Sequence, residues 1–143
     1  MAYFGFFADP QLTTPLTSLS MVVNAQTGGT KDFVLYFGSP DSTVKAVPDP
    51  QGNNPNEIQV YLRDLITGNG HDIGTEVIYR LATTQAGLDT ATDNTPLSLG
   101  TQVLGGTANA IEIWLRLIEN PQPNPGNFTD LELTTTDYIV QGV

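Results

Sequence analysis

Apolar and polar residues alternate along most of this chain, which is the pattern of strands that bury one face. The clearest case is 110–119, "AIEIWLRLIE", in which Ile111, Ile113, Leu115 and Leu117 share one parity. The period of a helix is hard to find anywhere. The alternation therefore predicts strands over seven ranges, which are 18–26, 31–40, 57–64, 75–82, 96–106, 110–119 and 130–143.

Segments rich in Pro, Gly, Asn and Asp separate the predicted strands. They cover 48–56, 67–74 and 120–127, and residues 83–94 have room for one helical turn. These residue types fix or relax φ at turns. Short strands with such punctuation are typical of an all-β fold, an antiparallel β-sandwich of the Ig-like or jelly-roll-like kind, with about seven to nine strands.

The chain length of 143 residues fits one domain over 1–143. Residues 1–10 are a candidate N-terminal arm of that domain. The Pro-rich segment 120–127 is expected to be a stiff connection, after which a final strand or hairpin joins an edge of the sheet.

Charge and composition exclude several classes of partner. The net charge is −10, so neither nucleic acid nor an anionic membrane surface is expected to bind. The chain has no cysteine, which excludes disulfides and thiolate metal sites. The sequence has neither a signal-peptide pattern nor an apolar run of membrane-spanning length. We expect a protein that is kept in a cytoplasm or assembled there into something larger.

Few residues suggest catalysis. His71, the one histidine, lies in a Gly/Asn loop, where we expect it to be solvated, and no nucleophile pattern accompanies it. Glu76 and Glu112 could face each other as a glycosidase pair. Arg80 and Arg116 follow these glutamates by the same spacing, so cross-strand charge pairing is the simpler interpretation. We therefore expect no enzymatic activity and no cofactor.

Two acidic loops, 49–54 and 89–94, carry oxygen ligands of the kind that calcium prefers. Neither loop has the spacing of three acids with a terminal bidentate Glu. A bound metal ion is therefore not predicted, although calcium stays an alternative.

Three of the five basic residues lie inside predicted strands, on the parity opposite to the apolar set. Each arginine stands beside a bulky apolar residue, and Trp, Tyr and Arg are the types enriched at the centre of protein interfaces. This pattern predicts a protein-binding face. The alternatives are a solvated face or one covered by a loop of the same chain. The residues concerned are Tyr61, Arg63, Ile78, Arg80, Trp114 and Arg116.

The first seven residues hold four of the chain's aromatic side chains, Tyr3, Phe4, Phe6 and Phe7. Free termini are rarely so apolar. The segment is either the first strand of the core or an arm that pairs with a neighbouring subunit by strand addition. In the second case these four residues belong to the interface.

The stretch 74–121, "GTEVIYRLATTQAGLDTATDNTPLSLGTQVLGGTANAIEIWLRLIENP", resembles small Ig-like or jelly-roll-like virion proteins of tailed bacteriophages. That group includes capsid decoration or cement proteins and accessory proteins of the tail or baseplate. The resemblance covers about a third of the chain and has no diagnostic motif, so it transfers no site residue. It implies a structural role in a multi-copy assembly, often as trimers or at lattice junctions.

Together these patterns predict a non-enzymatic protein of a phage virion, assembled in the host cytoplasm. Its expected partners are other virion proteins, above all the major capsid protein, and further copies of itself. A capsid decoration role is the first interpretation, and a tail or baseplate component is the second. A carbohydrate-binding module is a third, because Trp114 and Tyr61 could form a platform on which sugars stack.

Overall fold

Three antiparallel sheets share one hydrophobic core, which confirms the all-β sandwich predicted from the sequence. The structure, a computed structural model, describes residues 3–122 and 126–143. The described residues contain ten strands rather than seven to nine: β1 (Gly5–Phe7), β2 (Gly29–Gly38), β3 (Val44–Pro48), β4 (Ile58–Asp64), β5 (Val77–Ala82), β6 (Leu97–Gly100), β7 (Val103–Leu104), β8 (Ile111–Glu119), β9 (Leu131–Thr135) and β10 (Tyr138–Gly142).

The largest sheet has the strand order β1-β2-β8-β5, and its centre is the long pairing of β2 with β8. That pairing runs from Gly29 opposite Glu119 to Phe37 opposite Ile111. The two smaller sheets have the orders β10-β3-β7 and β6-β4-β9. Two 3-10 helices, Ala86–Asp89 and Thr107–Asn109, complete the fold, and the first confirms the helical turn expected in 83–94. None of the helices in the described ranges is long and apolar enough to cross a membrane.

The core is formed by the alternating positions that the sequence identified. On β8, Ile113 and Leu115 are fully buried, while Ile111 and Leu117 pack against the same cluster. The facing strand β4 buries Ile58, Val60 and Leu62. Each such side chain contributes roughly 1.5–3 kcal/mol when it leaves water. Since successive side chains of a strand point to opposite faces, the polar parity of β8 and β4 is turned outward.

Two predicted strands are wrong. Residues 18–23, all within the described part of the chain, form no strand, and 24–28 contribute only a bridge between Asn24 and Gly28. Their alternation is real, but Val22 is 98% exposed and this segment has no sheet partner. The predicted strand 96–106 is two short strands, because the backbone at Gly100 has φ of 90°. As a result β6 pairs with β4, whereas β7 pairs with β3.

The end of the chain also differs from the prediction. β9 and β10 do not form a hairpin, because β9 pairs with β4 and β10 pairs with β3 in another sheet. β3 itself was not predicted, since its sequence "VKAVP" is short and contains a lysine and a proline. Of the Pro-rich connection 120–127, residues 123–125 lie outside the described residues.

Both edges of the largest sheet are covered by the chain itself. On the β5 side, Asn94 accepts a hydrogen bond from the Tyr79 amide through its side chain, and its own amide donates to the Tyr79 carbonyl. On the β1 side, the amide of Leu16 donates to the carbonyl of Phe6. Covered edges of this kind prevent another strand from adding there.

Candidate functional site

Trp114 lies on the outer face of the largest sheet, between Val34 on β2 and Ala82 on β5. Its indole Nε1 donates to Glu112 Oε2 at 2.9 Å, and Val34 is 37% exposed. Trp114 itself is half-buried. Together with Val34 and Ala82 it forms a small apolar surface that we call the outer patch.

The arginines of this face are held by the chain itself. Arg116 lies directly opposite Arg80, and aspartates separate their charges. Arg116 donates to both carboxylate oxygens of Asp32, at 2.7 and 3.0 Å, and to Asp89 at 2.8 Å. Arg80 pairs with Asp93. The hydrogen bonds from Arg116 lower the pKa of Asp32 despite its partial burial, and the same contacts raise the pKa of Arg116.

These ion pairs fix the 3-10 helix Ala86–Asp89 over the sheet. Arg80 also donates to the carbonyl of Leu88 at 3.2 Å, and the Leu88 side chain is fully buried. This half of the face is thus covered by a loop of the same chain, one of the alternatives that the sequence left open. The sequence of the loop 83–94 is rich in threonine and did not predict that its one leucine, Leu88, is buried.

The expected charge pairs of the two glutamates are not formed. Glu76 precedes β5, next to Asn120, whose amide donates to the Glu76 carbonyl. Glu112 lies near the other end of β8, where its carboxylate accepts from Trp114. Because β5 and β8 are antiparallel, the two carboxylates stand at opposite ends of the strands, so neither a glycosidase pair nor pairing with Arg80 and Arg116 results.

Tyr61 and Arg63 are not on the face that carries Trp114. They lie on β4, in the sheet across the core, and Arg63 pairs with Glu132 of β9 at 2.7 Å. The one face that the sequence suggested is therefore two surfaces with the core between them. Trp114 and Tyr61 cannot form a common sugar platform, while Ile78 and Arg80 do share the sheet of Trp114 and Arg116.

The N-terminal aromatic residues belong to the chain's own sheet and core. β1 pairs with β2, with Phe6 opposite Phe37, and Phe4 and Phe7 are 7% and 1% exposed. Tyr3 is 41% exposed and lies beside Phe7. Within one copy of the chain the segment is a first core strand, the other alternative that the sequence allowed.

His71 is buried, which corrects the expectation of a solvated loop residue. Only 5% of it is exposed, and its ring stacks on Phe128 with centroids 4.3 Å apart and planes 10° from parallel. Nδ1 lies 3.0 Å from Asp130 Oδ1, and Nε2 lies 2.7 Å from Glu119 Oε1. The loop that holds it is tightened by Asn69, whose side chain accepts from the His71 amide and donates to Asp130.

The charges around His71 favour its protonated form. Burial opposes a charge on the ring, but the hydrogen bonds to Glu119 and Asp130 outweigh burial and raise the His71 pKa. Burial likewise opposes a charge on Asp130, yet the bonds from His71 and Asn69 lower its pKa. Nearby, desolvation and the carboxyls of Asp130 and Asp72 raise the pKa of Asp64. These shifts favour a protonated His71 ring beside an ionised Asp130.

A pocket of about 300 Å³ adjoins this cluster. Its polar wall includes His71, Glu119 and Gln122, and its apolar wall includes Met21, Val23 and Phe128. Both ring nitrogens of His71 already face carboxylates, so the ring has no free position for general-base catalysis.

The carboxylates that were considered as calcium ligands form ion pairs and hydrogen bonds with other groups of the same chain. In the loop 89–94, Asp89 and Asp93 pair with arginines, and in 49–54 Asp49 accepts from the Gln51 amide. Across residues 3–122 and 126–143, no group of three His, Cys, Asp or Glu side chains could hold a metal ion.

No protein-family model matches this chain, and a search of curated proteins finds no relative. The function therefore has to be inferred from the fold and the side-chain geometry.

Proposed function

We propose that this chain is a non-enzymatic structural protein of a tailed-bacteriophage virion, where it binds neighbouring subunits and stabilises the particle as a capsid decoration protein. The observation that carries the proposal is β10, an uncharged strand with exposed apolar side chains whose outer edge pairs with no strand among the residues that the structure describes. The resemblance of residues 74–121 to virion proteins supports a place in a phage particle. The edge of β10 supports the proposed contact between subunits.

β10 has the features of a strand that pairs with another chain. It lies at the outside of its sheet, and Ile139 and Val140 are 36% and 41% exposed. Residues 138–143 carry no charged side chain, although the chain has 15 acidic residues. Edge strands of monomers are usually protected by charge, proline or a bulge. β10 has none of these, so an added strand would meet neither repulsion nor a steric block.

A second copy of this chain is the partner that we assign to β10. Each copy carries a net charge of −10, so two copies approach most easily where acidic side chains are absent. The strand 138–143 provides such a place, and its backbone groups supply the hydrogen bonds. In a particle with many copies, a modest contact of this kind is strengthened by avidity. The outer patch is then the surface that we assign to the major capsid protein.

The oligomeric state tests this assignment. The double variant Ile139→Lys/Val140→Lys places two charges on the edge and should convert the oligomer to a monomer in light scattering after size exclusion. The matched control is Leu65→Lys/Ile66→Lys, which changes two neighbouring residues that are 54% and 57% exposed in a loop. Equal masses for both variants and the parent chain would contradict the role of β10.

Sedimentation with capsids tests the position in the particle. Capsids assembled without the chain should bind it, and the edge variant should bind more weakly because avidity is lost. Binding to tails or baseplates and not to capsids would favour the second candidate, a tail component. A monomer whose single tryptophan changes its fluorescence with glycans would favour a carbohydrate-binding module.

A further inference from the structure

We propose that His71 is a pH-dependent clasp: its doubly protonated ring holds the segment 126–130 against the end of β8, and loss of one proton releases that segment and opens the adjoining pocket. This inference does not depend on the proposed role in a virion. It rests on the geometry of His71, Glu119 and Asp130, three residues from distant parts of the chain.

When both carboxylates are ionised, the geometry requires both ring nitrogens to carry a proton. A carboxylate can only accept hydrogen bonds, and a carboxylate oxygen lies within 3.0 Å of each nitrogen. Neutral histidine has one N–H and one lone pair, so it can satisfy only one of these two partners. The arrangement therefore fits the imidazolium, which joins two carboxylates that would otherwise repel each other.

The clasp connects three segments. His71 belongs to the loop after β4, Glu119 is the last residue of β8, and Asp130 immediately precedes β9. Phe128 covers the ring and also lines the pocket. Residues 126 and 127 are exposed. The segment is held by the stacking of Phe128 on His71, by the side-chain bonds to Asp130, and by the Leu65 amide, which donates to the Asp130 carbonyl.

Acidic groups contact both ring nitrogens, and further acidic groups lie near the His71 loop. Glu119 and Asp130 contact the ring directly. Asp64 lies beside Asp130, and Asp72 belongs to the same loop as His71. Glu76 lies against that loop as well, because its carboxylate accepts from the Asp72 amide. The lining segment 21–25 contributes no charge. On β2, the charge of Lys31 is directed to the carbonyl of Ser20 at 3.0 Å.

Removal of the proton breaks the clasp on one side. The neutral ring keeps one hydrogen bond, and its other nitrogen turns a lone pair toward a carboxylate. The direction of the pKa shift of His71 agrees with this coupling. The equilibrium constant for release of the segment depends on the difference between the His71 pKa in the closed form and in the open form. Full deprotonation raises this constant about tenfold for each pKa unit by which the closed form is higher.

The titration of His71 is the first test, and it is unambiguous because the chain has one histidine. Nitrogen-15 chemical shifts should show both ring nitrogens protonated at pH values below the midpoint of the titration, and that midpoint should lie above the ordinary value of 6.5. In Glu119→Gln the midpoint should fall, because the amide can donate to a neutral Nε2. A midpoint at or below 6.5 in the parent chain would overturn the proposal.

Hydrogen exchange tests the release. After correction for the intrinsic effect of pH, exchange at the Leu65 amide, which donates to the Asp130 carbonyl at 2.7 Å, should increase several-fold as His71 loses its proton. Asp93→Asn, which removes a carboxylate on the outer face, is the control and should keep this increase. Glu119→Gln should reduce it. If exchange in the parent chain does not follow the His71 titration, the ring is only a structural bridge and the clasp is refuted.

Discussion

Arg116 on β8 donates two hydrogen bonds to Asp32, the residue directly opposite it on β2. The same guanidinium reaches Asp89 on the loop above the sheet. Because its fork satisfies acceptors on two elements, it connects the central strands to the loop that covers them. The side chains of Arg116 and Asp32 are each only 18% exposed, so solvent screens this pair less than an ordinary surface ion pair.

Arg116→Met should lower the free energy of unfolding by about 1–2 kcal/mol, because three charged hydrogen bonds are lost and one of them anchors the loop. Arg63→Met is the matched control. Its ion pair with Glu132 is 49% and 42% exposed, so its loss should change stability by less than about 0.5 kcal/mol. Chemical denaturation of both variants measures the difference. Equal effects would mean that the Arg116 pair is as weak as a surface pair.

Leu88→Ala should cost about 2–5 kcal/mol, because the leucine is fully buried under the loop and its removal leaves a cavity. Leu104→Ala, at a position that is 40% exposed, should cost less than about 1 kcal/mol. Thermal and chemical unfolding check both values. A small effect at Leu88 would show that the loop 83–94 is not part of the cooperative fold.

Phe7→Ala should cost about 3–5 kcal/mol, since Phe7 is 1% exposed within its own chain. Tyr3→Ala, four residues earlier, should cost far less because Tyr3 is 41% exposed. If Phe7→Ala instead leaves the monomer stable and only abolishes assembly, the N-terminal segment is an arm of the interface. Denaturation combined with mass in solution separates the two outcomes.

Stability should fall as pH rises above about 6.5. The folded chain has the higher His71 pKa and so binds more protons than the unfolded chain in this range. The contribution of His71 is complete below 6.5 and disappears as pH passes its folded pKa. In His71→Gln, which stays neutral, this part of the pH profile should be flat. Denaturation midpoints measured from about pH 5 to about pH 9 in the parent chain and in the variant test this pH dependence. The same profile in both proteins would contradict the prediction.

The sequence was sufficient to predict the strands whose pattern is set locally. The parity of β8 identified Ile113 and Leu115 as core, and β4 and β5 lie where alternation placed them. β2 overlaps the range 31–40 that its aromatic and β-branched residues predicted. The sequence could not assign strands to sheets, because pairing depends on partners far along the chain. Tyr61 on β4 and Trp114 on β8 each lie on the side of their strand opposite to its buried residues, yet the two strands belong to different sheets.

The site around His71 could not be predicted for the same reason. Its partners Glu119 and Asp130 are 48 and 59 residues away, and neither stands in a recognisable motif with it. The Gly/Asn composition of the loop indicated exposure, but the fold brings the ends of β8 and β9 onto it. A charged histidine is buried at acceptable cost only when carboxylates compensate its charge, and here those carboxylates are distant in the sequence, so local sequence does not contain that information.

The pairing of β2 with β8 also determines when the chain can fold. It joins residues that are roughly 75 to 90 positions apart, and both smaller sheets need strands that follow residue 130. Such distant contacts are costly to close, so folding should take milliseconds to seconds rather than microseconds. Most of the chain must leave the ribosome before its core can form. During that interval its strands are open to pairing with other nascent copies.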